Sequence, residues 1–170
     1  MKRTTFSAFL PAAAVLAALT LGGMGTAHAG ERECRGSIGA EQIDGDVVVP
    51  AGARCTLQGT RVDGNIKVQA RASLQASQVR VDGDVQAENH ASVTVNGSSV
   101  GGNIQLKQGG GGGIANTRVD GDVQLFSNHG ALQVSGNRID GNLQCKSNQP
   151  APSGGGNRVK GNKEDQCAGL

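Results

Sequence analysis

Cysteine, histidine and a regularly spaced set of aspartates and asparagines are the side chains of this 170-residue chain whose types and spacing could do chemistry. Cys34, Cys55, Cys145 and Cys167 fall into two pairs near the two ends. There is no C-x-x-C and no neighbouring His, so zinc ligation lacks its usual spacing. An even cysteine count in an oxidising compartment reads instead as two disulfides, for which three connectivities exist. His90 and His129 each follow an Asn in a polar segment with no nucleophile motif nearby. They are expected as solvated corner residues rather than as a general base. Neither G-x-S-x-G nor H-E-x-x-H occurs, and no catalytic residue or cofactor is expected.

The acidic residues follow one pattern, [VI]-x-G-[DN]. Its copies begin at Ile43, Val62, Val81, Val100, Val119, Ile139 and Val159, in steps of 19, 19, 19, 19, 20 and 20 residues. The glycines are Gly45, Gly64, Gly83, Gly102, Gly121, Gly141 and Gly161. The last position reads Asp46, Asn65, Asp84, Asn103, Asp122, Asn142 and Asn162. Two chemistries suit it. Asp-rich turns of nonapeptide β-solenoids bind calcium, but here the period is 19 and the Gly-Gly-x-Gly-x-Asp pattern is missing. The alternative is turn chemistry, in which Asp-Gly and Gly-Asn allow tight, positive-φ corners. An Asn between successive Asp residues would also separate like charges that stacking places about 4.8 Å apart.

The elements that hold these residues follow from the same alignment. Counting from the leading Val or Ile, positions 0, +4 and +6 are apolar, as in Val119, Val123 and Leu125. Positions −1, +1, +3 and +5 are polar, as in Arg118, Asp120, Asp122 and Gln124. A period of two means strand, and the invariant Gly within it marks a bend or a close backbone approach. A second apolar pair recurs in the other half of the repeat: Leu74 and Ala76, Val93 and Val95, Leu132 and Val134. Helical periodicity is missing, and Gly is too frequent for helix interiors. Short strands of this kind bury a face only by stacking coil on coil. The expected fold is therefore all-β, a single-stranded parallel β-solenoid of about seven coils, right-handed by the crossover rule. The heptapeptide RVDGDVQ occurs at both 80–86 and 118–124 because the third and fifth coils present the same side chains at the same corner. Gly109 to Gly113 keeps the repeat length and is expected to fill a corner of the fourth coil rather than act as a linker.

Arg61, Arg80, Arg118, Arg138 and Arg158 at position −1 stand beside Asp63, Asp82, Asp120 and Asp140 at position +1. They predict an outer Arg–Asp seam, each exposed pair contributing about 0–1 kcal/mol. The cysteine separations are each one coil plus about two residues. They favour Cys34–Cys55 and Cys145–Cys167 as staples at the two ends, worth about 3 kcal/mol apiece in the chain-entropy account.

The N-terminus reads as a secretory leader over 1–29. Lys2 and Arg3 precede an apolar stretch from Phe9 to Leu21, and Ala27-His28-Ala29 gives a small-x-small site with cleavage after Ala29. The chain then divides into an N-terminal cap at 30–42, solenoid repeats at 43–149, and a last coil with C-terminal cap at 150–170. Export to the periplasm or beyond follows, with no membrane span after cleavage. Setting aside Lys2 and Arg3 leaves 14 basic residues against 14 acidic ones, so the basic footprint of a nucleic-acid binder is missing. Phe126 is the one aromatic beyond the leader, which removes base stacking and most aromatic hot spots.

The V-x-G-[DN]-[VI] repeat over roughly 43–163 resembles the bactofilin-like, polymer-forming cytoskeletal family. The resemblance implies a right-handed β-helix without a catalytic site. The chain departs from that family in its leader and its four cysteines. Three functional readings stand. The first is a non-enzymatic exported structural or interaction protein, with a cell-envelope component or its own kind as partner. The second is a ligand-binding module for glycan, calcium or ice, with Thr60 and Thr117 matching in register for ice. The third is a carbohydrate-active β-helix enzyme.

Overall fold

The computed structural model describes residues 30–170. The expected leader and its cleavage site lie outside them. Among the described residues the chain is all-β, a parallel β-solenoid of about seven turns without helix. No described helix is long and apolar enough to cross a membrane.

Each coil lays one strand on each of three sheets, here called the first, second and third faces. The first face stacks Arg32–Glu33, Val47–Val49, Ile66–Val68, Val85–Glu88, Ile104–Lys107, Val123–Phe126, Leu143–Lys146 and Lys163–Asp165. The second stacks Ser37–Ile38, Arg54–Gln58, Ser73–Ser77, Ser92–Asn96, Gly111–Ala115, Leu132–Ser135 and Ser153–Gly155. The third is built from two-residue strands: Gln42–Ile43, Arg61–Val62, Arg80–Val81, Ser99–Val100, Arg118–Val119, Arg138–Ile139 and Arg158–Val159. The segment expected as an N-terminal cap thus supplies the first strand of every sheet.

Register offsets equal the repeat, so like residues stack. Val62, Val81, Val100, Val119 and Ile139 align on the third face. Ile66, Val85, Ile104, Val123 and Leu143 align on the first. These inward rows are fully buried and merge into one continuous core. Pro152, next to a strand that pairs with Gln133–Ser135, prolongs the Leu132 row and is buried. Aliphatic rows suffice because a three-sided coil encloses a narrow interior, which Val, Ile and Leu fill without aromatics.

The glycine run corrects one expectation. Gly111–Gly113 does not lie at a corner; it is the first part of the strand Gly111–Ala115, paired on both sides. Glycine is a poor strand residue, but ladder bonds from two parallel neighbours set its conformation. Gly112 takes the inward place held by Val93 below and Leu132 above. Its φ is 143°, and a Cβ there would collide with the Val93 carbonyl.

Both expected disulfides are present, with Cα–Cα separations of 5.5 Å for Cys34–Cys55 and 5.3 Å for Cys145–Cys167. All four cysteines are buried. Cys55 aligns with Leu74 and Cys145 with Leu125, so each pair occupies core rows at an end of the stack.

Candidate interaction surfaces

The corner between the third and first faces carries the expected Asp/Asn ladder. Each side-chain Oδ1 accepts the main-chain N–H of its counterpart one coil later. Asp46 accepts from Asn65 at 2.7 Å, Asn65 from Asp84 at 2.9 Å, and Asp84 from Asn103 at 2.6 Å. Asn103 then accepts from Asp122 at 2.8 Å, Asp122 from Asn142 at 2.7 Å, and Asn142 from Asn162 at 2.9 Å. The Asn side chains contribute a second bond that a carboxylate could not make. Asn65 Nδ2 donates to Asp46 at 3.1 Å and Asn103 Nδ2 to Asp84 at 3.2 Å. Alternation therefore puts a donor over each of these carboxylates.

The corner glycines have a different reason from the one expected. Of the seven, only Gly45 has positive φ. The others are needed for close approach. A Cβ on Gly64, Gly83, Gly102, Gly121, Gly141 or Gly161 would meet the Asp or Asn carboxyl or amide oxygen of the coil below. Each glycine N–H also bonds the preceding corner's glycine carbonyl at 3.0–3.1 Å. Positive φ falls instead at the other two corners: between the first and second faces at Gly52, Arg71, Asn89, Gln108, Ser127 and Ser147, and between the second and third at Gly59, Gln78, Gly97, Asn116, Gly136 and Gly156.

Two further ladders run inside the other corners, where the sequence reading placed none. At the corner between the second and third faces, Thr117 Oγ1 accepts the Ser98 amide at 3.4 Å. Asn137 Oδ1 accepts that of Thr117 at 3.0 Å, and Asn157 Oδ1 that of Asn137 at 3.1 Å. Thr60, at the same corner, donates to the Gly39 carbonyl at 2.7 Å. Thr60 and Thr117 are 1% exposed, so the proposed ice-facing register is turned inward. At the corner between the first and second faces, Asn128 accepts the Gly109 amide at 3.0 Å and Asn148 accepts that of Asn128 at 3.1 Å. Gln166, from the C-terminal segment, accepts the Asn148 amide at 2.8 Å and closes this ladder. These inner ladders run opposite to the Asp/Asn ladder, since here each oxygen receives a bond from the coil before it. For the corner between the second and third faces the available signal was a polar residue two places before the leading Val or Ile, at Thr60, Ser98, Thr117, Asn137 and Asn157.

His90 is a further correction. It is 3% exposed, while His129 is exposed as expected. His90 occupies the Asn128 position one coil before Gly109, and a Cβ on Gly109 would collide with the imidazole. The ring therefore fills the space that a residue-109 side chain would take. Both ring nitrogens are buried without a hydrogen-bond partner. Burial pushes the imidazole pKa below its ordinary value, against a smaller opposing effect of the Ala87 carbonyl.

The outer surfaces differ by face. On the third, Arg80 meets Asp82 at 3.0 Å, and Arg118 reaches Asp120 at 2.8 Å and Asp140, one coil on, at 2.7 Å. On the first, Lys67 lies 2.7 Å from Asp46 and 3.0 Å from Glu31. The Lys67 bond and the Asn65 amide hold the Asp46 carboxyl below the usual range. Gln124 donates to Gln144 at 3.0 Å and Gln144 to Glu164 at 2.9 Å. A hollow of about 490 Å³ there is lined by Lys67, Gln69, Gln86, Glu88, Gln105 and Lys107. Lys107 Nζ lies 6.0 Å from the Phe126 ring centroid. The second face bears two shallow hollows that share Gln75 and Thr94.

Asp46, Asp84 and Asp122 lie two coils apart, about 9–10 Å, with Oδ1 of each bonded to a chain amide. Among the described residues no three His, Cys, Asp or Glu side chains group to hold a metal. The sites define a disulfide-stapled β-solenoid whose surface chemistry repeats with the coil. No protein-family model, curated protein or solved structure matches the chain.

Proposed function

We propose that this is a non-enzymatic, exported structural or interaction protein, a rigid rod that works by presenting rows of polar side chains in register at fixed spacing. The observation that carries the reading is the continuity of its ladders. Three sheets and one core run through the coils, and the outer corner ladder runs from Asp46 to Asn162, so surface positions recur in register at coil spacing. The two buried disulfides support an oxidising destination, as does the leader-like segment from Lys2 to Ala29. The V-x-G-[DN]-[VI] repeat is the ground for a kinship with bactofilin-like proteins. The ends favour a discrete rod over an open filament, because the terminal strands Arg32–Glu33 and Lys163–Asp165 are short and charged and the disulfides hold the end coils to their neighbours.

The test is light scattering of the purified oxidised protein across concentration, with and without reductant, alongside recovery from cell fractions. The expected result is an exported chain of constant one-chain mass while oxidised, with mass rising with concentration only after reduction. Cytoplasmic recovery with four reduced thiols, or turnover of a polyuronide by the oxidised chain, overturns the reading.

A further inference from the structure

We infer that the second face is a binding trough for an uncharged, hydroxyl-rich polysaccharide chain lying along the stack. The inference rests on the exported-rod reading and names the partner of one face. Charge is distributed unevenly over the rod. The second-face strands Ser73–Ser77, Ser92–Asn96, Gly111–Ala115, Leu132–Ser135 and Ser153–Gly155 contain no Asp, Glu, Lys or Arg. On the third face, by contrast, five of the six strands from Arg61–Val62 to Arg158–Val159 present Arg.

Arg54 is the one charged residue in the strands of this face, which carries two overlapping hollows, while the hollow of the first face is lined by Lys67, Glu88 and Lys107. One hollow of about 350 Å³ spans Arg54, Thr56, Ser73, Gln75, Ser92 and Thr94. The next, about 460 Å³, takes up Gln75 and Thr94 again and continues past Asn96 and Gly113 to Gln133. The floor of the second is glycine backbone. A side chain at Gly113 would rise against Gln133, and Gly112 has no room for one.

Along the trough the outward central row reads Thr56, Gln75, Thr94, Gly113, Gln133, in unbroken register. Hydroxyl and amide groups both donate and accept, which matches sugar hydroxyls, while neither attracts a formal charge. The rungs lie about 4.8 Å apart, close to the advance of one residue in an extended pyranose chain. In a β-1,4-linked chain alternate sugars are flipped, so every second sugar would meet every second coil in an equivalent pose. With no aromatic on this face each rung binds weakly, and affinity accumulates with the number of rungs engaged. Short side chains such as Ser and Thr lose little rotamer freedom when a ligand orders them.

The experiment is calorimetric titration of the oxidised full chain with neutral oligosaccharides, cellohexaose and N-acetylated chitohexaose, and with their dimers. Hexagalacturonate is the charged comparison. A neutral hexamer is expected to bind at least about tenfold more tightly than its dimer, and hexagalacturonate is expected not to compete. The double variant Gln75→Ala/Gln133→Ala is expected to lose at least about tenfold in affinity with an unchanged circular dichroism spectrum. Gln105→Ala/Gln124→Ala on the first face is expected to bind like the parent. Silence from both neutral hexamers, or equal loss from both double variants, overturns the trough while leaving the exported rod intact. Thermal hysteresis of ice without sugar binding gives the face to ordered water and likewise overturns the polysaccharide. Cleavage of the bound hexamer leaves the trough standing and overturns the non-enzymatic reading instead.

Discussion

His90 shows how one missing side chain shapes its neighbour. In the coils above, Asn128 and Asn148 donate Nδ2 to the Leu106 and Leu125 carbonyls and accept an amide from the coil below. Gly109 has nothing to offer, and the His90 ring lies in the gap. An Asn at 109 would complete the ladder but would strike the ring. Gly109→Asn alone is therefore expected to destabilise, and His90→Ala/Gly109→Asn to recover at least part of the loss. Urea unfolding of the four species should give a coupling energy of about 1–3 kcal/mol. Acid provides an independent check. The folded His90 pKa lies below the unfolded value of about 6.5. The unfolded chain thus takes up the proton first as pH falls. Stability linked to this residue is complete above about pH 7 and is lost as pH falls through the lowered folded value. The His90→Gln variant should lack that loss, measured by unfolding at pH 7.5 and 5.5.

At the scale of the element, the corner is a strand-linking device made from two side-chain types and a glycine. Gly83→Ala would push a methyl into Asn65 Oδ1 and the Gly64 carbonyl. The expected cost is about 2–3 kcal/mol, read by thermal or urea unfolding. Asn103→Asp changes no shape, but it places three carboxylates in consecutive coils and removes the Nδ2 donor to Asp84. It should destabilise by about 1–3 kcal/mol at neutral pH, and the deficit relative to the parent should shrink below about pH 4 as the carboxylates protonate. Asp46 behaves differently. Its folded pKa is lowered by Lys67 and the Asn65 amide, so its stabilising contribution is present above the ordinary carboxylate value and lost as pH falls through the lower one.

The strands, their parallel pairing and the Asp/Asn ladder were legible because period two and period 19 are both written in residue type. The inner ladders were not. Thr117 and Asn137 are polar, and polarity alone gives no sign that a residue points inward to bond chain amides. His90 was hidden for the same reason, since its burial depends on a glycine 19 residues away. The glycine strand was misread because Gly109 to Gly113 carries corner chemistry, whereas neighbouring coils determine its pairing.

Across the whole molecule, stability is a sum of coils and the contacts between neighbours, so damage should remain local. The disulfides staple the terminal coils to the next ones. Replacing Cys145 and Cys167 with Ser is expected to cost about 3 kcal/mol. Hydrogen exchange should quicken first in Ser153–Gly155 and Lys163–Asp165, while Ile104–Lys107 keeps its protection. Uniform acceleration along the rod would contradict this modular picture.

The Asp/Asn alternation also fixes how such a gene can change length. One coil is 19 residues, but the corner chemistry returns to its starting state only after two, which is the distance between the identical heptapeptides at 80–86 and 118–124. Loss of the single coil containing Asn103 would bring Asp84 and Asp122 into contact, whereas loss of two adjacent coils from the alternating stretch would leave a proper sequence of partners. Loss of a single Asp-bearing coil leaves Asn over Asn, a pairing that Asn142 and Asn162 already make, so lineages that shorten this rod by one coil should lose an Asp-bearing coil rather than an Asn-bearing one.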